Sequence, residues 1–443
     1  MGAVGEGKGA SAGANPLAAG IRPCYDEPAT PVTTKHPLIT IWDTSAGRAR
    51  GGRVAGAVHA ALLAGTLATA ASAQVITEST PTGATPPTAP VRRTYHRIHQ
   101  RRPTTLSRGN TAVGSASAAP RLLWRTLLHR SDGTPAPAGN AVVATAGSGV
   151  YTLDADGHTL SMTEIGPTQD TPAVDDNRVY VGTDRGAFYG LDRRTSKVLY
   201  KFTGAGDSVL TSPAMGGGRV YFESSDNYVY GLAALNGGQI WKFFRPDGSL
   251  GYSSPVFVDN ALYVCGDSAL YRLDPATGTQ VWHTPVGGKS LSTPSVDANR
   301  IIVGSDGAGL TALAPSDGHP LWSYAGRGEH EWFGAPTTAD GAVYVGSHGR
   351  YLYAVDAATG KPKWAAALPG PSGAAPAVDA VRHVVYVTST TATDAPTLSA
   401  FDTRTGVKQW EYKAGSVTGG AVVSGDRLYI ISTTGYFYCF ALR

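Results

Sequence analysis

The chain reads as all-β: an eight-bladed β-propeller of four-stranded antiparallel blades, preceded by a disordered N-terminal tail. Three observations lead there. One pattern returns about every forty residues between 121 and 443, most clearly as Ala354-x-Asp356-x-x-Thr359-Gly360-x-x-x-Trp364 and Ala400-x-Asp402-x-x-Thr405-Gly406-x-x-x-Trp410, and such a period marks blades rather than one layered core. A second marker, a small residue followed by Pro, falls at Pro172, Pro213, Pro255, Pro294, Pro336 and Pro376, with spacings of 41, 42, 39, 42 and 40 residues. Weaker copies at 137–162 and 420–442 bring the count to eight. The third observation is that the two ends of the repeat region complement each other.

Within a copy, Val343-Tyr344-Val345-Gly346 is a β-branched and aromatic run ending at Gly, and Tyr351-Leu352-Tyr353-Ala354-Val355 alternates after the polar turn 347–350. Both patterns predict strands. The Asp-x-x-Thr-Gly segment that follows predicts a hairpin turn, because the Asp carboxylate accepts turn N–H groups and Gly tolerates positive φ. The next Trp opens the outermost strand, and so large a ring finds its packing between neighbouring blades. Trp124, Trp241, Trp282, Trp322, Trp364 and Trp410 occupy this position. The last copy stops after Tyr436-Phe437-Tyr438-Cys439-Phe440, one strand short, whereas Arg121-Leu122-Leu123-Trp124-Arg125-Thr126-Leu127 has a Trp and no strands before it. The segment around Trp124 is therefore expected to complete blade 8 and close the ring, which removes free sheet edges.

Together with its small-Pro-Val and Val-Tyr-Val-Gly companions, the pattern resembles the pyrroloquinoline-quinone-like (PQQ-like) repeat over about 320 residues. That family includes the propellers of quinoprotein dehydrogenases and the non-enzymatic outer-membrane assembly lipoprotein BamB. Some copies drift from the consensus: Tyr200 stands for Trp, Arg272 for Ala, and Ala314 and Asp317 for Asp and Thr. The WD40 repeat does not fit, because the one Trp-Asp pair, Trp42-Asp43, lies outside the repeats.

Residues 1–47, rich in Gly, Ala, Pro and Thr, read as an extension without structure from an over-extended start, since Met1 is the only Met before Met162. Residues 48–73 place Arg48, Arg50 and Arg53 before an Ala-rich apolar run that ends in Ala71-Ser72-Ala73. This is the layout of a secretory signal peptide, with a signal anchor as its rival. Gln74, not Cys, stands directly after the candidate cleavage site, so the lipid-anchoring Cys of the assembly lipoprotein is absent there. Residues 74–120 form a Pro/Thr/Arg-rich linker with no apolar periodicity. It carries Arg92, Arg93, Arg97, Arg101, Arg102 and Arg108; setting these six charges aside from the net +4 leaves −2 for the rest of the chain. The basicity is local, which argues against nucleic-acid binding by the propeller. The run reads as a solvated linker, with weak contact to anionic lipid or cell wall as its functional alternative.

Cys24, Cys265 and Cys439 build no disulfide framework, since the last two belong to copies four and eight, across the ring from each other. The resemblance to quinoprotein dehydrogenases would imply PQQ with calcium on the axis, but no adjacent-Cys pair or ligand set transfers residue by residue. Asp170, Asp207, Glu329 and Glu331 precede innermost strands near the channel mouth as scattered single carboxylates, a thin basis for a hard cation. The expectation is therefore no catalytic residue, no metal and no cofactor. The feature that departs most from the repeat is the link into copy six, Arg327-Gly328-Glu329-His330-Glu331-Trp332-Phe333, together with His348 and Arg350 on the following turn. Arg327, Glu329, His330, Glu331, Trp332, His348 and Arg350 form the candidate patch for a peptide or anionic ligand, with Trp332 as anchor and the Arg residues as carboxylate forks. The resemblance then implies an exported, monomeric, protein-binding propeller in the periplasm or cell envelope of a bacterium. Its partners would be envelope or outer-membrane proteins, with a PQQ-dependent dehydrogenase as the alternative.

Overall fold

The computed structural model describes residues 120–442 apart from 249–252, 289–291, 307, 328–332 and 392–396, so the expected extension, signal and linker lie outside the described residues. Eight four-stranded antiparallel sheets follow one another along the chain, and the described residues contain no helix. Seven blades are contiguous in sequence. In blade 6 the order outward from the axis is Thr337–Ala339, Ala342–Gly346, Tyr351–Asp356 and Pro362–Ala367. Blade 8 is made from both ends of the region. Val422–Ser424, Arg427–Ile431 and Tyr436–Ala441 supply its inner three strands, and Arg121–Leu127 supplies the outermost by pairing with Tyr436–Ala441. The ring is thus closed by the strand around Trp124, as the unmatched ends required.

The local chemistry of the repeat is visible in the turns that keep the Asp-x-x-Thr pattern. Asp356 Oδ1 accepts the Thr359 N–H at 3.0 Å and the Thr359 hydroxyl at 2.8 Å, while Gly360 takes φ of +70°. Asp274 and Asp402 cap their Thr277 and Thr405 turns in the same way. That Gly then serves the neighbouring blade: a Cβ on Gly360 would sit 2.7 Å from the Trp322 ring, and one on Gly406 would sit 2.6 Å from the Trp364 ring. Five indole N–H groups reach across as well, from Trp124 to Ala155 O at 2.8 Å, Trp241 to Pro275 O at 3.0 Å, Trp282 to Pro315 O at 3.3 Å, Trp322 to Ala357 O at 3.0 Å and Trp364 to Thr403 O at 2.9 Å. Turn and Trp are therefore two halves of one inter-blade joint.

The apolar core divides in the same manner. Eight clusters of buried side chains lie one per blade-to-blade interface, each built from the second and third strands, which are apolar on both faces because both are covered. Outer strands bury only the Trp side. In all eight blades the outer strand also carries one extra residue immediately before the Trp position: Leu123, Leu160, Leu199, Ile240, Val281, Leu321, Lys363 and Gln409. Such a bulge bends the strand and re-aims the following side chain, here into the joint.

Candidate functional site

The links leading into each blade and the turns between its second and third strands share one face. In blade 6 this is explicit, since Phe333 bridges Ser347 and Gly334 N–H donates to Gly346 O at 2.9 Å. Phe333 is fully buried, packed 5.4 Å from the Tyr353 ring and 6.3 Å from Tyr324. The turn 347–350 is held by the Arg350 N–H donating to Ser347 O at 3.2 Å, with Arg350 in the left-handed region at φ +66°. Three of the seven candidate residues are described. Arg327 is exposed and lies over the Tyr351 ring at 5.0 Å, a cation–π contact. Arg350 is exposed, and its Nη2 donates to Pro369 O on the link into blade 7. His348 approaches Gly373 on that same link, its Nε2 3.5 Å from where a Cβ would be, and desolvation holds its pKa below the usual imidazole range. Glu329, His330, Glu331 and Trp332 lie outside the described residues. The structure therefore brings Arg327, His348 and Arg350 to one rim at the junction of blades 6 and 7, a surface of fixed positive charge beside an aromatic face.

The axis holds a cavity of about 680 Å³ whose wall is made of the small-Pro positions. These positions read as phase markers in the sequence; in the structure several are hydrogen-bonded links. Thr134 N–H donates to Thr171 Oγ1 at 2.9 Å, Ser212 N–H to Ser254 Oγ at 3.0 Å, Ser254 N–H to Thr293 Oγ1 at 3.0 Å and Gly420 N–H to Thr134 Oγ1 at 2.8 Å, so successive inner strands are tied around the axis. Among the described residues Asp132 is the one ionisable side chain on this wall; it accepts from Thr418 Oγ1 at 2.7 Å and lies 3.5 Å from Arg130.

Two buried exceptions stand elsewhere. Glu223 and Arg245, both with fully buried side chains, form an ion pair within blade 3, at positions where blade 4 carries Cys265 and Val286. Arg245 Nη1 also donates to Cys265 O at 3.0 Å, but Glu223 Oε1 and Arg245 Nε and Nη2 are buried without partners. Burial outweighs the attraction of Arg245 and pushes the Glu223 carboxyl up to about 7. The second exception is Asp170, which does not face the channel mouth: it is 3% exposed, and Thr171 takes the axial position instead. Cys265 and Cys439 are buried free thiols on strands of blades 4 and 8. No three His, Cys, Asp or Glu side chains converge as a metal site among the described residues.

Comparison with known proteins agrees with this geometry. The family profile described as outer membrane protein assembly factor BamB matches residues 121–256 and 229–443. Among solved structures, BamB from Moraxella catarrhalis superposes with a TM-score of 0.62 at 19% identity, covering 73% of this chain and 100% of that one. The computationally designed Ika8 protein gives 0.62 at 17% identity, covering 73% of this chain and 100% of its own. Quinohemoprotein alcohol dehydrogenase from Comamonas testosteroni gives 0.58 at 15% identity, covering 72% of this chain and 76% of the enzyme. At these identities the likeness shows the fold alone, and no curated protein sequence matches. Since the matched residues take in the whole ring and most of the chain, the protein belongs to the PQQ-like β-propeller family that includes the outer-membrane protein assembly factor BamB.

Proposed function

We propose that this chain is an exported, non-catalytic scaffold that binds proteins or peptides of the bacterial cell envelope, as a monomer, through the loop face at blades 6 and 7. One contrast carries the reading. The rim presents two exposed guanidinium groups beside Tyr351, whereas the axial wall offers neutral hydroxyls engaged with backbone, prolines and the single carboxylate of Asp132. Aromatic and Arg side chains on a rigid frame are the groups that most often anchor a protein partner, and loops on a scaffold are where recognition concentrates.

The fold family also contains dehydrogenases that hold PQQ and calcium on the axis. PQQ is a tricarboxylate, and calcium takes six to eight oxygens. The described axial wall supplies no cationic side chain and one carboxylate already engaged, so these residues do not fit that pair, and the reading carries no resident cofactor. The description of the matched profile as an assembly factor supports the envelope role. The arginine run 92–108 adds a weak contact with anionic lipid or cell wall to this reading, and nucleic acid has no part in it.

The test is site-specific photo-crosslinking of the full chain in its envelope. A photoreactive residue at His348 or Arg350 should give discrete protein adducts, and one at Leu199 on the outer wall of blade 2 should give none. If loop-face positions yield nothing beyond the Leu199 control, the scaffold reading is refuted. Dye-linked alcohol oxidation after mixing with PQQ and calcium should stay at background; turnover would replace the scaffold by an oxidoreductase.

A further inference from the structure

The position just before the small-Pro marker is occupied around the ring by Gly133, Asp170, Thr211, Ser253, Ser292, Gly334, Ala374 and Gly419. In blades 3 and 5 its hydroxyl does a defined job at the end of the second strand. Thr211 Oγ1 donates to Glu223 O at 3.3 Å and accepts from Glu223 N–H at 3.1 Å. Ser292 Oγ donates to Gly304 O at 2.9 Å and accepts from Gly304 N–H at 2.8 Å. An ionised carboxylate has no proton to donate, so in its charged form Asp170 cannot take over this role. Its Oδ2 lies 2.8 Å from where a Cβ on Gly182, the end of its own second strand, would stand.

Asp170 is surrounded by further unmet oxygens. Both its carboxylate oxygens, Thr168 Oγ1 and Asp184 Oδ1 are buried without a hydrogen-bond partner, and Thr168 is only 2% exposed. The chain brings them together, since the Asp184 N–H donates to Pro167 O at 2.9 Å. Thr168 and Asp184 line one cavity of about 360 Å³, together with Gln169, Arg130 and Asp132. Of the neighbouring donors, Gln169 Nε2 is spent on Asp184 Oδ2 at 2.9 Å, and Arg130, 3.5 Å from Asp132, points to that pair. Burial raises the Asp170 carboxyl well above its usual range, and the Asp184 charge raises it further. Two buried carboxylates short of donors, beside a neutral hydroxyl that is also without a partner, are the condition that a bound cation relieves.

We propose that Asp170, Asp184 and Thr168 form a seat for a hard divalent cation of the calcium class inside blade 2, off the axis. Four side-chain oxygens come from the protein, and water entering from the adjoining cavity completes the six to eight that calcium takes. The seat is separate from the partner rim at blades 6 and 7 and from the axial wall, so it stands or falls independently of the scaffold reading. With two carboxylates it belongs to the weaker range, a dissociation constant on the order of 10⁻⁴–10⁻³ M.

The test uses the full chain, stripped with EDTA and titrated with calcium chloride by equilibrium dialysis and thermal melting. One calcium should bind and raise the melting temperature by several degrees, and Asp170→Asn and Asp184→Asn should each weaken binding at least tenfold. Asp184→Asn, at the less buried position, serves if Asp170→Asn does not fold. In the absence of cation, Asp170→Asn should melt above the stripped wild type, because it removes a desolvated charge. The proposal is overturned if wild type binds neither calcium, magnesium nor manganese up to about 10 mM, well above the range for such sites, or if binding is unchanged in both Asn variants. The first outcome, joined to a melt that falls as pH rises through neutrality, would assign the buried charge to a retained proton instead.

Discussion

Replacing Trp124 by Ala tests the closure of the ring at one side chain. Its ring lies on Gly157 of blade 1, where a Cβ would come within 2.5 Å, and beside Phe437 and Tyr429 at 5.3 and 6.2 Å, while its indole N–H donates to Ala155 O at 2.8 Å. Truncating a fully buried Trp costs about 3–5 kcal/mol. Trp124 is half-buried, which scales that to about 2–3 kcal/mol, and the cross-blade hydrogen bond adds about 1 kcal/mol. At roughly 2 °C per kcal/mol for a ring of this size, the melting temperature should fall by about 6–8 °C. Trp410→Ala is the control, because blade 8 joins its two outer strands across the chain ends and has no Asp-x-x-Thr-Gly turn to receive that indole. It should cost about 1 kcal/mol less, the value of the hydrogen bond. Trp124→Phe should lose about 1 kcal/mol for the same reason. Calorimetry and urea midpoints on the full chain read all three. If Trp124→Ala costs no more than Trp410→Ala, the joint at the seam is not what holds the ring shut.

Four further outcomes follow from the same geometry. Arg245→Val alone should cost about 3–5 kcal/mol by leaving Glu223 buried and unpaired, whereas Glu223→Cys with Arg245→Val, the pair found in blade 4, should be neutral or stabilising by about 1–4 kcal/mol in urea unfolding. Because the folded pKa of Glu223 is raised to about 7, the folded state holds a proton that the unfolded state has lost between pH 4.5 and 7; stability should fall as pH rises through that window, and the double variant should flatten the slope. Tyr200→Phe should be neutral or stabilise by up to about 1 kcal/mol, since the Tyr200 hydroxyl is buried without a partner, and a loss on melting would refute this. Gly360→Ala should destabilise more than Gly425→Ala: both sit at positive φ, but only Gly360 faces an indole, whereas nothing lies within 4 Å of Gly425.

The repeat made the ring legible because its markers are joint parts: Asp356 caps a turn, Gly360 carries the Trp322 ring, and a forty-residue period leaves room for four short strands. The unmatched strand at Trp124 also showed how the ring closes. Other features stayed hidden because periodicity describes what copies share. Thr134 and Ser254 look like any small residue beside Pro, and only the approach of adjacent inner strands turns their hydroxyls into ties. Asp170 reads as one more polar loop residue, since nothing in its neighbours' identities announces that its side chain turns inward toward Gly182. Glu223 and Arg245 are 22 residues apart and meet only because the outer strand of blade 3 brings its end beside the second. At the rim, the departure of 327–333 from the repeat marks a place; of the seven residues named there, Arg327 lies over Tyr351, His348 approaches Gly373 and Arg350 reaches Pro369, and the other four lie outside the described residues.

The bulge repeated in every outer strand bears on how the molecule lives at high concentration. A propeller offers eight peripheral edges, each a row of backbone donors and acceptors that could template pairing with a second molecule. Here the extra residue, from Leu123 round to Gln409, interrupts that row in all eight blades. A foreign strand laid against any edge therefore loses register beside the Trp joint. Bulges are one of the devices by which sheet edges are blunted against edge-to-edge pairing, and here the device is repeated around the whole rim.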